Sequence, residues 1–226
     1  MIKIQNIDVY GWEACVRGMR NPMNSWDRSD SYEAYYQTDN VIEGDIVCCP
    51  EYLVGENDLD LMKRLFKGGT EHRKYLRFIN VTMDITAPLY WWKEFDTYKV
   101  GTNCNSCSTM HKIHAKEFTL DDFSCEHLFG DKDKRDVDEP IGIMNMIIDT
   151  LNDAREMFLE TKDKLYWWQM IQLLSTSYNQ RRTVQMNYEV AVRMIQQRKN
   201  HKLDEWNEMV EELLKLPYMK EIMGYE

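Results

Sequence analysis

Apolar residues along this chain recur at two spacings, and the change between them constrains the fold more than any short motif does. Near the start Ile2, Ile4, Ile7 and Val9 alternate with one slip, and Ile79, Val81, Met83 and Ile85 alternate strictly. That is the period of strands with one buried face. After Pro140 the text turns helical, over 142–160, 162–174, 182–199 and 203–215, and Leu216-Pro217 ends the last long run. No stretch rich in Pro, Gly or Ser divides the two kinds of text. The pattern predicts one α+β domain over 1–226, a mixed β-sheet with flanking helices and a helical C-terminal half.

Punctuation fills in the elements between. Helix-like GWEACVRGM follows the first strand. Residues 20–40 are polar and rich in Asn, Ser and Asp, and read as a long loop of the kind that often carries function. Asn57 or Asp58 is placed to cap a helix over LDLMKRLFK, which Gly68-Gly69 ends. The second strand is predicted over 75–85, with Thr86-Ala87-Pro88 breaking it and Pro88 in the first turn of a helix carrying Tyr90, Trp91, Trp92 and Phe95. Residues 99–116 read as a loop and then a short helix, and 131–139 (DKDKRDVDE) as a solvated charged loop. The echo of LYWW at 89–92 and 165–168 is too short to make a repeat.

With 43% hydrophobic and 29% charged residues, 226 residues can bury a core without a disulfide staple, and disorder is excluded. No run of eighteen apolar residues exists, so no membrane span is expected. The opening MIKIQNIDVYGWEACVRG has no basic stretch followed by an apolar one. The six cysteines (Cys15, Cys48, Cys49, Cys104, Cys107, Cys125) are too sparse for a disulfide scaffold, so a reducing, cytoplasmic setting is expected. The formal net charge of -10 argues against a general nucleic-acid binder, yet it leaves room for a small phosphate ligand held by a few local cations.

Cys104, Cys107, His111 and His114 would share one face of a helix. A tetrahedral metal site draws ligands from divergent directions, so no metal is expected there. Cys107, flanked by Ser106 and Ser108 with His111 four residues on, reads as a buried structural cysteine rather than a nucleophile. The hydrolase, P-loop and dinucleotide glycine motifs are all absent. More telling are Arg181, Arg182, Arg193 and Arg198, interleaved with Asn179, Asn187 and Asn200 in text read as helical. Guanidinium forks and amides suit phosphate and base recognition, and an exposed polar helix face is the other reading.

Two blocks, 57–111 and 174–206, resemble the flavin-dependent thymidylate synthases. In the first, LDLMKRLFKGG, FINVTMDI, TAPLYWWKEF and YKVGTNCNSCSTM follow the family's order of helix, strand, Ala-Pro, aromatic helix and signature loop. In the second, Leu174-Ser175, Asn187, Arg198 and HKLDEW stand at the family's spacings. Laid over 98–110, the signature R-H-R-x-x-S-x-N-x-x-S-x-R keeps Asn105 and Ser108, with Lys99 as a displaced cation. Tyr98, Val100 and Met110 replace its basic residues. A register shifted by one instead places Lys99, Thr102 and Cys107 on signature positions.

The resemblance implies FAD held by Thr70, His72, Lys99, Asn105, Asn187 and Arg193, and dUMP met by Ser108, the catalytic-position residue, and by Arg198. It implies reductive methylation of dUMP to dTMP with methylenetetrahydrofolate and NADPH as co-substrates, in a homotetramer. Arg17, Arg20, Asn21 and Asn24 are candidates to replace the lost cations. The loss of three signature arginines also leaves open a non-catalytic nucleotide-binding or interaction protein that kept the fold.

Overall fold

The computed structural model describes residues 2–42, 45–130 and 139–225, so most of the charged loop expected at 131–139 lies outside the described residues. In chain order the main elements are β1 (Lys3–Tyr10), α1 (Trp12–Arg20), β2 (Tyr32–Ile42), β3 (Asp45–Leu53), α2 (Glu56–Lys67), β4 (Asn80–Pro88), α3 (Leu89–Phe95) and β5 (Thr102–Ser106). Then come α4 (Pro140–Thr161), α5 (Lys164–Leu173), β6 (Asn179–Asn187), α6 (Tyr188–Arg198), α7 (Asp204–Leu214) and α8 (Met219–Met223). One sheet has the strand order β1-β4-β6-β5, and β2 and β3 form a separate antiparallel pair.

The chain gathers into two compact units. Unit one comprises the chain up to Asn6, Met83–Val184 and His201–Glu208. Its aromatic centre comes from α3. Trp91, Trp92 and Phe95 are buried together, and the rings of Trp91 and Trp206 lie 4.8 Å apart. Trp92 Nε1 donates to the Gln180 carbonyl at 2.9 Å and Trp206 Nε1 to Glu94 Oε2 at 3.1 Å, whereas the buried Trp91 Nε1 has no hydrogen-bond partner. A second cluster packs Ile148, Leu151 and Ala154 of α4 and Met170 of α5 against Ile113, Phe118 and Phe123.

Unit two comprises Ile7–Thr82, Gln185–Asn200 and the chain from Met209 on. Trp12 meets Tyr188 and Tyr218 edge-on at 5.3 and 5.2 Å. Gly11 enters α1 at φ +98, where a Cβ would stand 2.1 Å from the Phe78 carbonyl oxygen, so only glycine fits. The cap of α2 is not Asn57 or Asp58, as predicted, but Asp30. Its carboxylate accepts the backbone N–H groups of Asn57 at 2.9 Å and Asp58 at 3.1 Å. Gly55 admits it, since a Cβ there would lie 2.2 Å from Asp30 Cγ. Asp58 is freed for the interior, where it pairs with Arg20 at 2.6 Å.

Four expectations are corrected. Residues 32–40 are strand rather than loop, because β3 supplies backbone partners from Tyr32↔Leu53 to Gln37↔Cys48, which local text cannot reveal. The strand predicted over 75–85 begins at Asn80, after a short 3-10 turn, and Thr86-Ala87-Pro88 continues it. Pro88, extended at φ -67 and ψ 151, precedes α3 as its N-cap, where a missing N–H costs little. The run 182–199 is not one helix: Gln180, Val184, Met186 and Tyr188 are buried in near-alternation, and the helix starts only at Tyr188. The C-terminal half therefore also supplies a strand of the main sheet. Finally, 107–116 contains no helix, and the 99–116 stretch instead forms β5.

The helix expected to align Cys104, Cys107, His111 and His114 therefore does not form. Among the described residues no group of three or more His, Cys, Asp or Glu could hold a metal ion. The first LYWW run is also core, since Trp91 and Trp92 are buried within unit one, whereas Trp168 in the second run is exposed. Among the described residues no helix is long and apolar enough to cross a membrane.

Candidate functional site

In unit one, the stretch from α3 to β5 surrounds a cavity of about 290 Å³ lined by Phe95, Asp96, Tyr98, Lys99, Thr102 and Cys104. That is near the lower end for small-molecule sites, enough for a fragment of a dinucleotide. Tyr98 is 3% exposed and belongs to the aromatic cluster, with its ring 5.9 Å from that of Trp206. Val100 is 82% exposed. Lys99 is exposed at the wall, so of the three consecutive positions 98–100 only Lys99 supplies a cation.

Thr102 stands out chemically. Its hydroxyl oxygen is buried and has no hydrogen-bond partner. A buried polar group left unsatisfied costs about 1–3 kcal/mol, so one at a cavity wall fits a site completed by a ligand. Burial pushes the neighbouring Cys104 thiol up from its ordinary value, and the Arg182 guanidinium, within hydrogen-bonding reach, pulls it back down in part. Arg182 Nη1 holds Asp96 Oδ1 at 2.8 Å, and Nε donates to Gln180 Oε1 at 3.0 Å. Its guanidinium carbon lies 4.1 Å from the centroid of the Trp92 ring.

The strand geometry of β6 explains why Arg182 arrives here. Successive side chains on a strand point to opposite faces. Arg181 therefore goes the other way, to Asp84 Oδ2 at 2.6 Å. Hydrogen bonds from Thr183, Arg181 and Asn6 hold the Asp84 carboxyl down to about 2. The helical reading of 182–199 concealed this division. The strand signal was the buried alternation at Val184, Met186 and Tyr188.

Asn105 and Ser108 are both exposed. Asn105 lies in β5, and the Ser108 hydroxyl accepts the His111 backbone N–H at 2.9 Å, forming a turn. The neighbouring Cys107 is exposed rather than buried as expected, because only its backbone is clamped to β6: its N–H donates to the Arg181 carbonyl at 2.9 Å, and its carbonyl accepts from Gln180 Nε2 at 2.8 Å.

Unit two carries the remaining candidates. Thr70 and His72 are exposed in the turn after α2. Arg73 ties this turn to the first turn of α6 through Glu189, with Nε 3.1 Å from Oε2 and both side chains largely buried. The turn and α6 are thus brought together. Asn187 caps α6: its side-chain oxygen accepts the Val190 N–H at 3.1 Å, which leaves the amide NH₂ to donate elsewhere. Arg193 and Arg198 are half-buried on α6. Five residues apart, they diverge by about 140° around the helix and address different surroundings.

Three of the four suggested replacements for lost cations have partners of their own. Arg20 is buried on Asp58, Arg17 pairs with Glu13 at 2.6 Å, and Asn21 accepts from Trp26 Nε1 at 2.8 Å. Lys99 is the cation lining the 95–104 cavity among the described residues, and Arg182, not among the assigned site residues, stands behind the wall on Asp96.

Sequence comparison matches no family model and no curated protein. Comparison of structures does find relatives of the fold. Thymidylate synthase X from Helicobacter pylori, solved with FAD and dUMP, aligns over 98% of this chain and 96% of that chain, with a TM-score of 0.64 and 13% identity. The UMP/dUMP methylase PolB from Streptomyces cacaoi, bound with 5-Br UMP, aligns over 97% of this chain and 89% of that chain, with a TM-score of 0.59 and 12% identity. Its complex with 5-Br dUMP gives 0.62 over 100% of this chain and 96% of that chain, at 12% identity. This chain has the fold of the flavin-dependent thymidylate synthases and of that methylase.

Proposed function

We propose that this chain binds FAD and a uridine nucleotide, and that it methylates dUMP at C5 of the uracil. The observation that carries this reading is the near-full-length likeness to a structure solved with FAD and dUMP. The overall reaction takes a methylene group from methylenetetrahydrofolate, and a hydride from NADPH with a proton. It returns dTMP, tetrahydrofolate and NADP⁺. FAD, when bound, supplies the hydride-transfer chemistry, and the protein supplies position and electrostatics.

The residues present fit parts of such ligands. The unsatisfied Thr102 hydroxyl beside Lys99 suits an oxyanion. Lys99 and Arg193 would meet the flavin, with Thr70, His72, Asn105 and the free amide of Asn187. Arg198 would anchor the nucleotide phosphate and Ser108 would contact the substrate. The divergence of Arg193 and Arg198 around α6 supports their serving two ligands rather than one. Exposed Met146, Leu165 and Trp168 on α4 and α5 are compatible with self-association, and the homotetramer rests on the family resemblance.

A second reading, a nucleotide-binding protein without chemistry, is favoured by the burial of Tyr98 in the aromatic core and by Val100 at signature positions. Incubation of the purified protein with dUMP, methylenetetrahydrofolate, NADPH and FAD, with mass-spectrometric detection of dTMP, decides between them. Product formation supports the methylase. Bound FAD and dUMP without product leaves the second reading. Arg198→Ala is expected to lower dUMP affinity by about 2–4 kcal/mol, read by calorimetry, with circular dichroism unchanged.

A further inference from the structure

We propose that a cavity in unit two binds a small organic cation of the alkylammonium class, held by the rings of Tyr10, Trp12, Tyr52 and Tyr218 and by the carboxylates of Glu13, Glu33 and Glu51. The inference goes beyond the nucleotide reading and does not depend on it, because none of these residues is among those assigned to FAD or dUMP.

The cavity has a volume of about 420 Å³, within the range of small-molecule sites. The end of β1 and the start of α1 bring Tyr10, Trp12 and Glu13 to it, the β2–β3 pair brings Glu33, Glu51 and Tyr52, and the turn into α8 brings Tyr218. Aromatic rings and carboxylates dominate the lining, which contains no Lys, Arg or His. A phosphate would meet like charge here. A neutral apolar ligand would take the carboxylates out of water and give them no partner. An ammonium suits both groups, since the ring faces attract it through their quadrupoles and the carboxylates through full charge.

Two positive terms act against this and are too small to reverse it. Glu13 pairs with Arg17 at 2.6 Å, and the N-terminus of α1 contributes about half a positive charge. Counted against the carboxylates of the lining, they leave its formal charge negative. Tyr52 registers the same field. Burial pushes its hydroxyl up from the ordinary value, a bond from Ser31 pulls it down in part, and the negative charges of Asp58 and Glu13 add to the rise.

The rings are held in place by the protein's own bonds. Tyr52 faces Glu33 across the β2–β3 register. Tyr218 takes a left-handed backbone at φ +57, which is costly for an aromatic residue, and its hydroxyl accepts the Val54 N–H at 3.1 Å. The Tyr10 hydroxyl accepts from Gln185 Nε2 at 2.7 Å. Side chains fixed in this way lose little further freedom when a ligand enters.

Calorimetric titration of the wild-type protein with choline and with spermidine tests the site, and distinguishes a quaternary from a primary ammonium. The control is dimethylbutanol, the uncharged isostere of choline in which a quaternary carbon replaces the nitrogen. At least one of the two cations is expected to bind saturably, and the isostere is not. Glu51→Gln and Tyr10→Leu are each expected to weaken the bound cation about fivefold, whereas Tyr10→Phe keeps the ring and should bind as wild type does. Glu51 is exposed, so its exchange should spare the fold, and melting curves check each variant. The proposal is overturned if neither cation binds, or if the isostere binds as well as choline. It is also overturned if Glu51→Gln and Tyr10→Leu both bind as wild type does, which would mark a general attraction to a chain of formal charge -10. FAD and dUMP titrated into Glu51→Gln should behave as in wild type, which keeps failure of this site apart from failure of the nucleotide reading.

Discussion

Two polar centres in this protein are built on opposite plans. In unit two, the Asp58 carboxylate is 0% exposed and fully served. Oδ1 takes Arg20 Nε at 2.6 Å, while Oδ2 takes the hydroxyls of Ser29 and Ser31, each at 2.7 Å, and the N–H groups of Asp30 and Ser31. In unit one, the Thr102 hydroxyl is also buried and has nothing. A buried charge with every bond made ties loop to helix and holds the fold. A buried hydroxyl with none carries a cost, as the buried Trp91 Nε1 in the aromatic core also does. The difference sets a structural centre against a candidate binding wall.

The largest effect should come from breaking the completed centre. Asp58→Ala leaves Arg20 buried without its counter-charge and should cost about 3–5 kcal/mol of unfolding free energy, measured by urea denaturation. The same carboxylate sets an acid limb. Burial pushes the Asp58 carboxyl up, but hydrogen bonds from Ser29, Ser31 and Arg20 outweigh this and hold it below its ordinary value. A group depressed in the folded state contributes stability above its unfolded pKa of about 3.9, and loses it as pH falls through the folded value. The melting temperature should therefore drop below about pH 4, and the drop should be shallower in Asp58→Asn than in wild type, relative to each protein's neutral-pH value.

Thr102→Val tests the other centre and should go the opposite way. Removing an unsatisfied buried hydroxyl while keeping its shape should leave the unliganded protein unchanged, or stabilise it by about 1 kcal/mol, read as a melting temperature. The variant should bind nucleotide more weakly. A clear loss of stability would mean that the hydroxyl serves the fold, and the contrast between the centres would collapse. The smallest effect is expected at Arg17→Ala, whose pair with Glu13 is open to solvent and should contribute under about 0.5 kcal/mol.

How much of this was legible in the sequence depended on how local each cause was. β1, α1, α4, α5 and α7 follow from periodicity within one segment. The α+β class and the thymidylate synthase-like fold are both legible in the order of segments. The β2–β3 pair was not, because polar text such as DRSDSYEAYYQTDN reads as loop until its partner at 45–53 is known. The cap of α2 was missed for the same reason, since Asp30 lies more than twenty residues before the helix it caps. At β6 the alternation of Val184 and Met186 was present but was outweighed by the helical text that follows Tyr188. Arg182 is among the basic residues the sequence singles out, but its placement on Asp96 and Trp92 follows only from the strand geometry. Lys99 was identified from the signature loop, whereas Thr102 appeared only in a shifted register, and its unpaired hydroxyl is a property of packing that no sequence displays.

The central claim is that this fold still binds a flavin and a nucleotide, and calorimetric titration of FAD and then dUMP into the purified wild-type protein tests it most directly. Saturable binding of both ligands, with the dUMP heat abolished in Arg198→Ala while FAD still binds, is the result expected. Wild-type protein that yields no binding heat for either ligand, with its circular dichroism intact, would contradict it.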